Sequence, residues 1–178
     1  EMIDDSTWEF KLRDDVTWHN GDPFTAADVK YTYERAATDE SLAENHIFKV
    51  IKEVQIIDDY TVRFVTDGPY PTMLSLLSKN GSQVMPSKYI EENGLDYYLE
   101  HPIGCGPYQF KEWVKDNVVV LERYDDYFGG TPYWDEVRFR AVPEASTRVA
   151  ELLTGNVDII VNVPTNEWDR INTEENTE

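Results

Sequence analysis

Cysteine occurs once in the 178 residues, at Cys105, which excludes an internal disulfide and any cysteine-rich metal site. Basic residues are also scarce: 16 Lys and Arg face 35 Asp and Glu, a formal charge of −19. Such a surface repels nucleic-acid phosphates and anionic lipid alike, so neither is an expected partner. No stretch approaches the roughly twenty apolar residues that a membrane span needs. The three histidines, His19, His46 and His101, do not fall at metal-ligand spacing on any one element. A serine nucleophile elbow, a phosphate loop and an H-E-x-x-H motif are missing too. Acidic doublets such as Asp58-Asp59, Glu91-Glu92 and Asp125-Asp126 abound. A glycosidase, however, needs two carboxylates that converge from different elements, and neighbours in a turn cannot do that. They read as solvated surface, Cys105 reads as a small buried residue, and no catalysis, metal or cofactor is expected.

What the chain does have is aromatic content, 13%, and clear hydrophobic periodicity, so the acid covers a folded core and does not mark a disordered tail. An acidic, lysine-poor surface suits solubility in high salt and fits a salt-loving source. The length allows one domain or a piece of something larger, and the ends read as those of a piece.

The organising stretch is Trp8 to Arg35. Trp8, Phe10 and Leu12 alternate with Glu9, Lys11 and Arg13 as in a half-buried strand. A second short strand is expected at Val16 to Trp18, then a turn at Asn20-Gly21, with Asp22-Pro23 stopping further pairing. Thr25 and Asp28 stand at capping-box spacing and open a helix whose Val29, Tyr33 and Ala36 share one side. Further on, a hairpin is expected from Lys49–Ile57, where Val50, Ile51, Val54 and Ile56 alternate with charged residues, through a turn at Asp58-Asp59-Tyr60 to Thr61–Thr66. A short apolar helix follows, with Pro71 in its first turn, Met73, Leu74, Leu76 and Leu77 within it and its end near Asn80-Gly81, and further short helices at Pro86–Glu92 and Leu95–Glu100. Strands are then expected at Tyr108–Val114, Val118–Arg123 and Asp135–Val142, a helix at Ala145–Leu153, and a buried strand at Val157–Val163. Periodicity assigns most of Trp18, Trp113, Tyr127, Tyr133 and Trp134 to core or domain seams.

Three blocks carry a resemblance. L-R-x-x-V-x-W-H-N-G-D-P-F-T-A-x-D-V-x-Y-x-Y-E-R, from Leu12 to Arg35, resembles the signature of the family 5 extracellular solute-binding proteins, the dipeptide and oligopeptide receptors of ABC importers. The segment around Gly104-Cys105-Gly106-Pro107-Tyr108, with Trp113, Arg123 and Tyr127, resembles a second family block, although Cys105 stands where threonine is usual. P-E-A-S-T-R-V-A-E-L-L-T-G-N-V-D, from Pro143 to Asp158, resembles a third.

The resemblance implies an α/β periplasmic-binding-protein-like fold of type II, cluster C, present in part: a small α+β domain over 1–100, and part of the first ligand-binding lobe over 101–178. It implies a monomeric, non-catalytic receptor that closes two lobes around a peptide or other small solute outside the membrane and hands it to ABC permease subunits. A lipid anchor would sit upstream, and one wall of a cleft alone would bind little. Ligand-facing positions are expected at Asn80, Gly81 and Ser82, at Gly104, Cys105 and Gly106, and at Val161, Asn162 and Val163. Strand ends of open α/β sheets face ligands, and the Asn162 amide can both donate and accept toward a peptide bond. Asn162 serves equally well as a cap for a helix beginning near Thr165. Two other readings stand beside the receptor: a solute-sensing module of a regulator, and a carbohydrate-active enzyme.

Overall fold

The computed structural model describes residues 1–79, 81–174 and 177. The chain runs β1 (Met2–Asp4), β2 (Thr7–Lys11), α1 (Ala26–Thr38), α2 (Asn45–Phe48), β3 (Ile51–Asp58) and β4 (Thr61–Thr66). It continues with α3 (Met73–Leu77), α4 (Ser87–Asn93), α5 (Leu95–Glu100), β5 (Tyr108–Val114), β6 (Val118–Arg123), β7 (Glu136–Arg140), α6 (Ala145–Leu153) and α7 (Trp168–Asn172). Two compact units result: Glu1–Phe110 with Glu122–Asp135, and Lys111–Leu121 with Glu136–Glu178. No helix among the described residues is long and apolar enough to cross a membrane.

The first unit is built on an antiparallel sheet in the order β1-β2-β4-β3. Trp8 pairs with Phe64 and Phe10 with Val62, so the period-two pattern of the sequence becomes one apolar sheet face. Helix α1 lies on that face. Its buried Ala26, Val29 and Tyr33 meet Val54, Val62 and Phe64 of the sheet, with Phe48 and Met73 closing the ends. The Tyr33 ring stands edge-on to Phe64 at 5.0 Å between centroids, an arrangement favoured by the ring quadrupoles. At the start of α1 the Thr25 amide donates to Asp28 Oδ2 at 2.9 Å, as the capping-box spacing demands.

Two expectations about this unit change. Val16 to Trp18 is no strand; it makes one isolated bridge, Thr17 to Pro23. The flanking bonds run from Trp18 N to Asp22 O and from Phe24 N to Val16 O, both of ordinary length. Pro23 thus occupies a non-hydrogen-bonded pair, where its missing N–H costs nothing, and pairing continues past it. In β3 the buried residues are Ile51 and Val54, while Ile56 is 46% exposed. A register irregularity between Ile51 and Glu53 breaks strict alternation.

Strands β5, β6 and β7 form a three-stranded sheet in that order. In the second unit, Asp116 takes a left-handed φ of 59° at the β5–β6 turn, and the Asn117 amide closes it on Val114 O at 3.0 Å. Helix α6 buries Val149. The buried strand expected at Val157–Val163 does not form: this segment is turns and irregular backbone, with Ile159 83% and Val161 67% exposed. An apolar run becomes a buried strand only beside a neighbouring strand and under a covering layer, and the carbonyls of Val161 and Asn162 go instead to an arginine described below. The aromatic residues also divide. Trp18 is core, but Trp113, Tyr133 and Trp134 are exposed, because aromatic periodicity does not say whether a facing layer exists.

Candidate functional site

Three segments were singled out by sequence, and each is held differently. The first follows α3. Asn80 lies outside the described residues. Gly81 has φ +91° and its amide donates to Gln83 Oε1 at 2.9 Å. Ser82 is buried, its hydroxyl donates to Leu76 O at 2.9 Å, and its carbonyl accepts from the Tyr33 hydroxyl at 2.8 Å. Burial pushes the Tyr33 phenol up to about 12, with the bond to Ser82 acting the other way.

Beyond Ser82 the backbone lies along α1, secured by side chains of that helix. The Met85 amide donates to Thr32 Oγ1 at 2.8 Å, and Thr32 in turn donates to Asp28 O. The Ser87 amide and hydroxyl donate to Asp28 Oδ1 at 2.8 and 2.7 Å. The other carboxylate oxygen takes the Thr25 amide and, at 3.2 Å, the indole N–H of Trp18. A buried carboxylate with all these donors is well satisfied. The sequence showed Asp28 as the capping partner of Thr25 and Tyr33 as a residue of the apolar side; the bonds of Asp28, Thr32 and Tyr33 to Ser87, Met85 and Ser82 were missed because those partners lie some fifty residues away.

The second segment, Gly104-Cys105-Gly106, is fastened to the Asn20-Gly21 turn by His19. The His19 amide donates to Gly104 O at 2.8 Å, the Gly104 amide lies 3.1 Å from Nδ1, and Nε2 lies 3.0 Å from Gly106 O. The ring packs on Tyr124 at 4.8 Å between centroids. A Cβ on Gly104 would touch His19 Cε1 at 3.5 Å, so the loop and the imidazole are in contact. Burial pushes the Cys105 thiol up, which keeps it protonated and unreactive.

The third segment, Val161-Asn162-Val163, is gathered by Arg148 of α6. Its guanidinium donates to Val142 O and Pro143 O at 2.8 Å each, and to Val161 O and Asn162 O at 3.2 Å each. Asn162 takes a left-handed φ of 56°, which asparagine tolerates better than most residues. The cap of the helical turn at Thr165–Glu167 is Pro164, not Asn162. Val163 also lines an open cavity of about 450 Å³ with Leu152, Ile160, Trp168 and Ile171, where Asp158 supplies the acid. Among the described residues no cluster of His, Cys, Asp or Glu is arranged to hold a metal ion. His19 and Arg148, the two side chains that hold these loops, were not anticipated as such. Each sits inside a motif of the sequence, but the backbone groups it binds are not legible there.

Comparison with known proteins bears on the whole chain. The family model for bacterial extracellular solute-binding proteins, family 5 Middle, matches residues 1–178. The chain is similar to the oligopeptide-binding protein AppA of Bacillus subtilis, 32% identical over 169 residues that cover 90% of this chain and 31% of AppA. It is 30% identical over 163 residues to the glutathione-binding protein GsiB of Pectobacterium atrosepticum, covering 90% and 32%. The solved structure of NikZ from Campylobacter jejuni in complex with Ni(L-His) superimposes with a TM-score of 0.87 at 26% identity, over 99% of this chain and 36% of NikZ. The chain therefore spans about a third of the length of the relatives it matches.

Proposed function

Because the chain belongs to the family 5 extracellular solute-binding proteins, we propose that it is part of the solute-capturing component of an ABC importer, taking peptides outside the membrane. Its fold is the α/β fold of type II periplasmic binding proteins, held here in part. The observation that carries the reading is the family match over the full 178 residues. Peptide is the favoured solute class because AppA and GsiB are named for oligopeptide and glutathione binding.

Main-chain groups do the binding in this proposal. In the Gly104-Cys105-Gly106 loop and the Val161-Asn162-Val163 turn, the backbone groups not already held by His19 and Arg148 serve as donors and acceptors, and the Asn162 side-chain amide bonds a ligand peptide group. Gly81 and Ser82 contribute by setting the chain path beside α1. The protein is not an enzyme and needs no cofactor. It acts as a monomer outside the membrane, held there by a lipid anchor, and delivers its solute to the permease subunits. Its charge of −19 is an adaptation to high salt, tested by comparing stability in dilute and molar potassium chloride. The test of function is mass spectrometry of the solute that co-purifies with the full-length protein. A peptide is expected, whereas a sugar or an empty protein that ignores peptide mixtures in calorimetry overturns the reading.

A further inference from the structure

The imidazole of His19 spends both ring nitrogens on one loop. A backbone amide can only donate, so at 3.1 Å from Gly104 N the Nδ1 atom must be the acceptor. A carbonyl can only accept, so at 3.0 Å from Gly106 O the Nε2 atom must carry the proton. The two contacts fix the neutral Nε2–H tautomer and bridge both neighbours of Cys105. We propose that His19 is the positioning residue of the Gly104-Cys105-Gly106 loop and that its protonation breaks the tie between Nδ1 and the Gly104 amide, loosening the loop at that end. A proton on Nδ1 would face the Gly104 N–H donor to donor, so the bond from Gly104 to Nδ1 cannot survive it, while the Nε2–H bond to Gly106 O can.

The surroundings make His19 the group that titrates. Burial holds its imidazole below the ordinary histidine range, partly offset by the bond to Gly106. Tyr124 faces the ring, with its hydroxyl 3.1 Å from Thr17 Oγ1. Burial raises the Cys105 thiol, so it stays neutral. Asp22 on the turn is held below the usual carboxylate range by Lys88 of α4, 2.7 Å away. Asp28 lies behind Trp18 and accepts its indole N–H. A group whose folded pKa is depressed binds fewer protons in the fold than unfolded. The clamp is therefore intact above about pH 6.5, and is lost as the pH falls through the folded value. Ligand capture at this loop would follow the same profile, and that part rests on the function proposed above.

The experiment needs no ligand. In the ¹⁵N-labelled chain the His19 ring nitrogens are assigned and titrated, and the Gly104 amide protection factor, which corrects for intrinsic exchange, is followed between pH 5 and pH 8. Nε2 is expected to carry the proton at neutral pH, with Gly104 protection falling about tenfold as His19 protonates, the worth of one hydrogen bond. In H19Q the amide oxygen can replace Nδ1 and the amide nitrogen Nε2, so protection should become flat with pH; this also separates His19 from His101, which stacks on Tyr97. A proton found on Nδ1, Gly104 protection that ignores the His19 titration, or the wild-type profile persisting in H19Q would each overturn the inference. Failure to find a bound peptide would sink the proposed function and leave this result standing.

Discussion

Removing the Asp28 carboxylate should do more damage than any other single polar change in the first unit. In D28A the amides of Thr25 and Ser87 and the indole N–H of Trp18 lose an acceptor, and the Ser87 hydroxyl is left to turn elsewhere. Asp28 is only 3% exposed, so water cannot replace the carboxylate without opening the packing. A stranded buried donor costs about 1–3 kcal/mol. With the lower figure for each of the three N–H groups, to allow for relaxation, the loss comes to about 3 kcal/mol. That is a large share of the roughly 5–15 kcal/mol that holds a domain together. In D28N one oxygen still accepts but an amide now points at donors, so about 2 kcal/mol should be lost. The assay is urea unfolding followed by far-UV circular dichroism, with hydrogen exchange at Val62 and Phe64 of β4 reporting the first unit by itself. S87A in both backgrounds completes a double-mutant cycle, and the coupling should be at least about 0.5 kcal/mol. A D28A protein within about 1 kcal/mol of wild type at unchanged denaturant slope would refute the reasoning.

Y33F keeps the ring and removes the bond to Ser82, so about 1 kcal/mol of stability should go, read from the urea midpoint. Because the folded Tyr33 phenol titrates at about 12 against about 10 unfolded, its contribution is complete below pH 10 and declines as the pH rises toward 12; ultraviolet difference titration should show one late tyrosine that is absent in Y33F. R148M should speed hydrogen exchange through residues 161–163 with little change within α6, and equal exchange in both proteins would deny Arg148 its role. The Asp22–Lys88 pair is surface-lying, with side chains 24% and 62% exposed, so K88A should leave the unfolding midpoint where it is, and a clear shift would contradict the assignment of that pair to solvent.

Local chemistry was legible in the chain and distant chemistry was not. The bounds of β4, β5, β6, α5 and α6 follow from periodicity and from glycine, proline and asparagine punctuation, because each such signal acts within a few residues. The Thr25–Asp28 box was readable for the same reason. His19 escaped notice as a clamp because Gly104 and Gly106 are 85 and 87 residues away. Arg148 escaped because an arginine among helix residues looks like a solvated charge until four carbonyls are seen around it. Val157–Val163 was misjudged since composition reports a preference for burial, while burial itself depends on what lies opposite.

The side chains of α1 that hold residues 82–87 have a geometric consequence. Four residues of helix advance about 6 Å, and two residues of extended backbone about 6.6 Å, so Asp28 meets Ser87 where Thr32 meets Met85. The helix works like a ruler whose graduations match the strip laid against it. A ladder of strands can slide by two residues and find new partners, but this strip has fixed notches and nowhere to slide. One residue inserted between 85 and 87 would therefore have to arch outward as a blister, and deletions there should be far less tolerated than in the turns on either side.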